Sequence, residues 1–364
     1  SNGVWQGDPL GVHHMLLSVL GFLQALLDKC RPHLAFEQSD EFACMTVGIV
    51  DDMTQVVKRK HAVELAQWFI TEAPKHGIQL NMSKWHVYHP LHSTEDVAYN
   101  SDVVRELSAM GATVSARGLR RLLGAPIGTV DFCVEEGGHL DLITNAAVDH
   151  VRAISRLHTP QAQFGMLLYS AASKLTHLSR LIQPHILTGF AERLTAALQM
   201  GVQSLLTLQK LTHSQRVMIR LPTGEGGLGL VSANEVLMPA FISSHGSAIR
   251  FLKKSGWGES ADLACTLIGK SSLRQQVDEY NAQLSEAQPK VRGKLIDMER
   301  PDIWPTQKQI SSVIHRITAN DLQQDLGRTD PATAGWFTSM RLSGSGSFLR
   351  VIPSSYVYKV SSEL

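Results

Sequence analysis

Apolar and polar positions along this chain change period in a way that marks out its elements. Val12, Met15, Leu16, Val19, Leu20, Leu23 and Leu27 recur at helical spacing, and Asp8-Pro9 just ahead of them is a helix start. Asp8 can cap the free N–H groups, and proline suits the first helical position because its missing N–H needs no partner there. This helix is expected to end near residues 29–32. Two apolar runs follow, residues 42–50 and 53–58, on either side of Asp51-Asp52. They read as a β-hairpin with the carboxylates at its turn. Residues 61–76 predict an amphipathic helix with Val63, Ala66, Trp68, Phe69 and Ile70 inward and Gly77 as its stop. Residues 78–80 and 85–88 are short strand candidates, 101–110 a short helix, and 113–114 and 121–124 further strands.

After about Val130 the pattern becomes helical, from Leu140 to Val217, and rich in Leu, Ala, Gln and His. Cations outnumber anions there. Arg152, Arg156, Lys174, Arg180, Arg193, Lys210, Arg216 and Arg220 face only Asp141, Asp149 and Glu192 within residues 141–220. A glycine-rich break at 224–229 precedes another helical pattern to about Phe251. Residues 253–262 read as a linker, 286–309 as an exposed connection rich in charge and proline, and 343–347 as a Gly/Ser segment. The expected division is therefore 1–130, 131–252 and 253–364.

Composition adds few constraints. The net charge over 364 residues is +1, so any nucleic-acid binding has to come from a local patch. Cys30, Cys44, Cys133 and Cys265 are far apart and form no Cys-x-x-Cys, which argues against a zinc finger and a disulfide framework. A reducing compartment, nucleus or cytoplasm, is the expectation. The longest apolar run, 15–27, is too short to span a bilayer and lacks a basic flank, so neither a membrane partner nor a signal peptide is expected. The chain starts at Ser1 with a motif already at the next residue, and on this ground it reads as a fragment.

Three blocks carry the chemistry: Gln6-Gly7-Asp8-Pro9-Leu10 after Gly3, Val50-Asp51-Asp52, and Gly77-Ile78-Gln79-Leu80-Asn81-Met82-Ser83-Lys84. In this order and spacing the chain resembles the second half of a reverse-transcriptase palm, of the non-LTR retrotransposon type. Leu123-Gly124-Ala125-Pro126-Ile127-Gly128 resembles the segment that follows the palm and guides the primer strand in that family. Arg117, Arg120 and Arg121 nearby are candidates for phosphate contact, or simply a surface basic cluster. The resemblance is sharp to about Gly128 and looser to about Leu252. It implies an α+β fold, a partial right-hand polymerase palm followed by a mostly helical thumb-like region.

The resemblance also implies RNA-directed DNA synthesis by two-metal nucleotidyl transfer, with two Mg²⁺ ions, dNTPs, an RNA or DNA template and a primer strand. Asp51 would be the direct metal ligand and Asp52 the secondary one. Gln6, Gly7, Asp8 and Pro9 would lie against nucleotide and template, and Lys84 against the triphosphate. In the family a further metal carboxylate comes from a strand that here would precede Ser1, so the isolated chain is expected to be inactive. Where the family carries an aromatic residue two positions before the first aspartate, this chain has Ile49.

Other readings stand beside this one. A non-catalytic relic or domesticated protein would bind nucleic acid through the helical region, with Arg152, Arg156 and Arg180 as candidate contacts. A structural or interaction protein is a further alternative. Gly224-Glu225-Gly226-Gly227-Leu228-Gly229 formally matches the dinucleotide fingerprint, but no βαβ unit surrounds it. It resembles instead a structural segment downstream of retroelement palms. His86, His89 and His92 read as scattered histidines, not zinc ligands.

Overall fold

The computed structural model describes residues 20–26, 28–29, 44–49, 52–57, 59–88, 96–255, 272–287 and 291–342. Gln6, Gly7, Asp8, Pro9 and Asp51 lie outside these residues. The described chain is α+β and mostly helical, and it divides into two compact units, residues 1–119 and 120–364.

In the first unit, β1 (Cys44–Ile49) and β2 (Asp52–Val57) pair antiparallel in a register that runs from Cys44 opposite Val57 to Ile49 opposite Asp52. The expected hairpin is therefore present, with residues 50–51 between its strands. Helix α1 (Ala62–Glu72) buries two faces. On one, Leu65 meets Leu26 and Val57, and Phe22 lies 5.6 Å from the Trp68 ring and 5.4 Å from Phe69. On the other, Ala66 packs with Leu107 and Ala112, flanked by Trp85 and Val87. Pro74 interrupts α-helical pairing, so the chain tightens into a 3₁₀ turn, Ala73–His76, and leaves at Gly77 with φ +74°. Residues 78–81 form no strand, contrary to the expectation for 78–80. The second strand candidate is β3 (His86–Tyr88), joined through helix α2 (Asp96–Ala109) to β4 (Thr113–Ser115), with which it pairs in parallel.

The division between units falls inside β5 (Gly118–Leu122), which pairs with β6 (Ala125–Gly128). Two residues join them, which permits only an antiparallel hairpin. Leu123 and Gly124 both take positive φ, +50° and +87°, as the twist of such a short connection requires.

The helices follow in chain order: α3 (Val130–Val134), α4 (His139–Ile154), α5 (Pro160–Met166), α6 (Thr176–Ser179), α7 (Pro184–Leu205), α8 (His213–Arg220) and α9 (Ala233–Lys254). Beyond residues 256–271 come α10 (Ser272–Ala287), α11 (Gln307–Thr329) and α12 (Pro331–Met340). The largest core packs α4 against α7 through Leu140, Ala147, Val151, Leu187, Leu194 and Val202. Helix α9 belongs to two cores. Its Ala233 and Leu237 lie in this first one, while Phe241 and Ile242 join Val277, Tyr280, Trp304 and Ile310 in a second. A third core sets Val217 and Leu221 against Leu322, Leu326 and Phe337. The helices of 272–340 thus share one compact unit with those of 139–254.

Within the stretch 286–309, the described residues 291–309 do not form the exposed connection the composition suggests. Val291, Ile296, Pro301 and Trp304 are buried, and the Asn281 amide both donates to Ile296 O and accepts from Ile296 N, each at 2.8 Å. Charges alternate with these anchors irregularly, which conceals them from a periodicity reading. Among the described residues no helix is long and apolar enough to cross a membrane.

Candidate functional site

The middle block, Val50-Asp51-Asp52, is bracketed by β1 and β2. Asp52 is the first residue of β2 and its backbone pairs with Ile49. Carboxylates are the hard oxygen donors that Mg²⁺ prefers, so the residue types at this turn fit such an ion. Among the described residues no group of three or more His, Cys, Asp or Glu is placed to hold a metal.

The third block is shaped by its own backbone. The Gly77 N–H donates to Ala73 O and Pro74 O, and the Ile78 N–H to Ala73 O at 3.0 Å. Asn81 caps the short turn Met82–Lys84, its side-chain oxygen accepting from the Ser83 N–H at 3.2 Å and the Ser83 hydroxyl at 2.7 Å. Lys84 closes this turn with an exposed side chain, ahead of Trp85, whose carbonyl accepts from the Thr113 N–H at 2.9 Å. Alongside lies a depression of about 420 Å³ with an apolar lining that includes Ile70, Pro74, Ile78, Leu80 and Met82. Lys84 is held at the end of a defined turn, a position from which a cation can reach an anion in solvent.

The Leu-Gly-x-Pro-Ile-Gly segment forms the tip and the second strand of the β5–β6 hairpin, and two histidines hold the tip. His177 Nε2 lies 2.9 Å from Leu123 O, and His139 Nε2 lies 3.1 Å from Gly124 O. Each acts as donor, because a carbonyl oxygen can only accept. The sequence reading missed both. Their partners are backbone atoms, and contact with them needs the tertiary fold. Arg120 and Arg121 are exposed neighbours on β5, so their side chains leave opposite faces of the strand. Arg117 is exposed in the bend before β5, where its N–H donates to Ser115 Oγ.

Arg152 on α4 pairs with Asp149 at 2.8 Å, Arg156 is exposed just beyond that helix, and Arg180 donates to Gln307 Oε1 at 3.3 Å. Asp141 is taken by Arg193 at 2.6 Å, and the Arg193 hydrogen bond holds its carboxyl below the usual range. Arg156, Lys174, Lys210 and Arg216 have no ion-pair partner among the described residues. Ion pairing therefore removes two of the three acids of 141–220 and leaves an unbalanced set of cations. Glu235 has a shifted carboxyl away from these blocks. Burial raises it, and Arg220 at 3.2 Å pulls the other way. This pair joins the end of α8 to the start of α9.

The glycine-rich segment has a structural role. Leu228, Gly229 and Leu230 donate to Met218 O, Leu221 O and Ile219 O, so the segment folds back over the end of α8. Gly226 lies against Phe337, and Arg341 reaches from beyond α12 to Glu225 at 3.0 Å. Residues 217–220 end a helix and form no strand, so the segment lacks the setting of a dinucleotide site.

Comparison with protein-family models, curated proteins and solved structures found no match.

Proposed function

We propose that this chain is part of an RNA-directed DNA polymerase of the non-LTR retrotransposon type, covering the later part of the palm and a helical thumb-like region. The observation that carries the reading is the order and spacing of the three blocks, the middle one lying between two antiparallel strands. When bound, paired Mg²⁺ ions supply activation of the attacking hydroxyl and neutralisation of the leaving pyrophosphate. Asp51 and Asp52 would hold them. Lys84 would neutralise triphosphate charge, and Gln6, Gly7, Asp8 and Pro9 would face nucleotide and template. Such a centre takes a further carboxylate from outside these blocks.

The transcript tests this reading when followed upstream from the codon for Ser1. An in-frame segment encoding an aromatic-x-x-Asp strand is the expected result. Stop codons directly upstream would remove the partner carboxylate and favour a non-catalytic protein.

One observation favours that second reading, nucleic-acid binding without catalysis: the unbalanced cations of residues 141–220. It predicts salt-dependent binding that Asp51→Ala leaves unchanged and that neutral substitutions at Arg152, Arg156 and Arg180 weaken. Binding indifferent to all three arginines would remove it.

A further inference from the structure

Helix α9 packs against both α6 and α11, and a groove of about 630 Å³ opens along them. Arg180, directly after α6, and Lys308, on the first turn of α11, both line it. Ser243, Ser247 and Ser311 contribute hydroxyls to its wall, the rest of which is largely apolar carbon. Among the described residues, no carboxylate and no aromatic ring lines the groove. Neither Arg180 nor Lys308 has an ion-pair partner among the described residues, and the Arg180 guanidinium donates to the neutral Gln307 amide.

The amides that open α11 do not account for this character. The Gln307 N–H is taken by Ser243 Oγ at 2.9 Å and the Gln309 N–H by Thr306 Oγ1 at 3.4 Å. What the groove offers is two cations without a counter-charge and a few serine hydroxyls in a recess open to solvent, the Ser244 and Thr306 hydroxyls already donating to Arg180 O and Gln309 Oε1. That set suits phosphate oxygens. With no ring to stack on a base, it can hold a strand by its backbone without reading its sequence.

We propose that the groove between Arg180 and Lys308 binds the backbone phosphates of a nucleic-acid strand. The choice of a strand over a small phosphate compound rests on the polymerase reading, while the anion site itself does not.

The test is fluorescence anisotropy of the intact chain with two labelled RNA–DNA hybrids of unrelated sequence, across a salt series. The double variant Arg180→Gln/Lys308→Gln is expected to bind both hybrids at least roughly tenfold more weakly. Its plot of log affinity against log salt should be shallower by about 0.9 for each phosphate no longer neutralised. The charge-keeping pair Arg180→Lys/Lys308→Arg should retain most of the affinity. Both positions are exposed, and thermal melts of each variant verify the fold. Inorganic phosphate added at constant ionic strength should not displace the hybrid. Unchanged affinity and slope in the double variant, a loss confined to one sequence, or displacement by inorganic phosphate would each overturn the proposal. Groove-dependent binding combined with stop codons directly upstream of the Ser1 codon would count against the polymerase reading alone.

Discussion

Gly227 sits where no side chain fits. A Cβ there would lie 2.1 Å from Leu221 O and 2.5 Å from Met218 O, both backbone atoms fixed by the end of α8. Gly227→Ala must displace that backbone and the hydrogen bonds beside it, at a cost of about 3 kcal/mol or more. Gly224→Ala meets open space and should melt like the parent. Thermal unfolding of the two variants tests the packing role, which equal melting temperatures would contradict. His315 is another residue with a measurable signature. Burial lowers its imidazole from the ordinary value of 6.5 to about 4. Between these values the unfolded chain binds the proton and the folded chain does not, so stability falls as pH drops from 6.5 toward 4. At about 1.4 kcal/mol per unit, the loss is about 3 kcal/mol. Urea unfolding at neutral pH and near pH 4 should show wild type losing that much more than His315→Leu. Equal losses would contradict the assignment.

Among the elements, the long helices were legible because they keep a steady period: α4 and α7 bury Leu140, Ala147, Val151, Leu187 and Leu194 on single faces. The β1–β2 hairpin was legible from two apolar runs around a polar pair. Residues 291–306 were not, because their order comes from isolated anchors and from one amide. Asn281→Ala would leave both the N–H and the C=O of Ile296 without their partner inside a buried segment. Denaturant titration should register a loss of about 2–4 kcal/mol. Asn281→Asp keeps the acceptor for the N–H but sets an oxygen against Ile296 O, so it should recover only part of that loss. A neutral result for Asn281→Ala would mean that the segment is held by Trp304 and Ile296 alone. The clamp of His139 and His177 on the β5–β6 tip was also invisible in sequence, since its partners are carbonyls up to 54 positions away.

For the whole molecule, near-zero net charge conceals a local separation of charge. Asp141 and Asp149 pair within the helical region, while Arg156, Lys174 and Arg216 have no ion-pair partner among the described residues, and Arg180 and Lys308 line one groove. Asp51 and Asp52, proposed for catalysis, fall within residues 1–119 and the groove proposed to bind phosphates within 120–364, so the two proposals can be tested separately. The measurement that bears most directly on the central claim is primer extension on an RNA template with dNTPs and Mg²⁺, using the chain joined to the coding segment upstream of Ser1. The expected result is elongation that Asp51→Ala abolishes, while the same variant still binds the primer–template. A folded, template-binding protein that elongates no primer, or one whose Asp51→Ala variant elongates equally well, would contradict the polymerase reading.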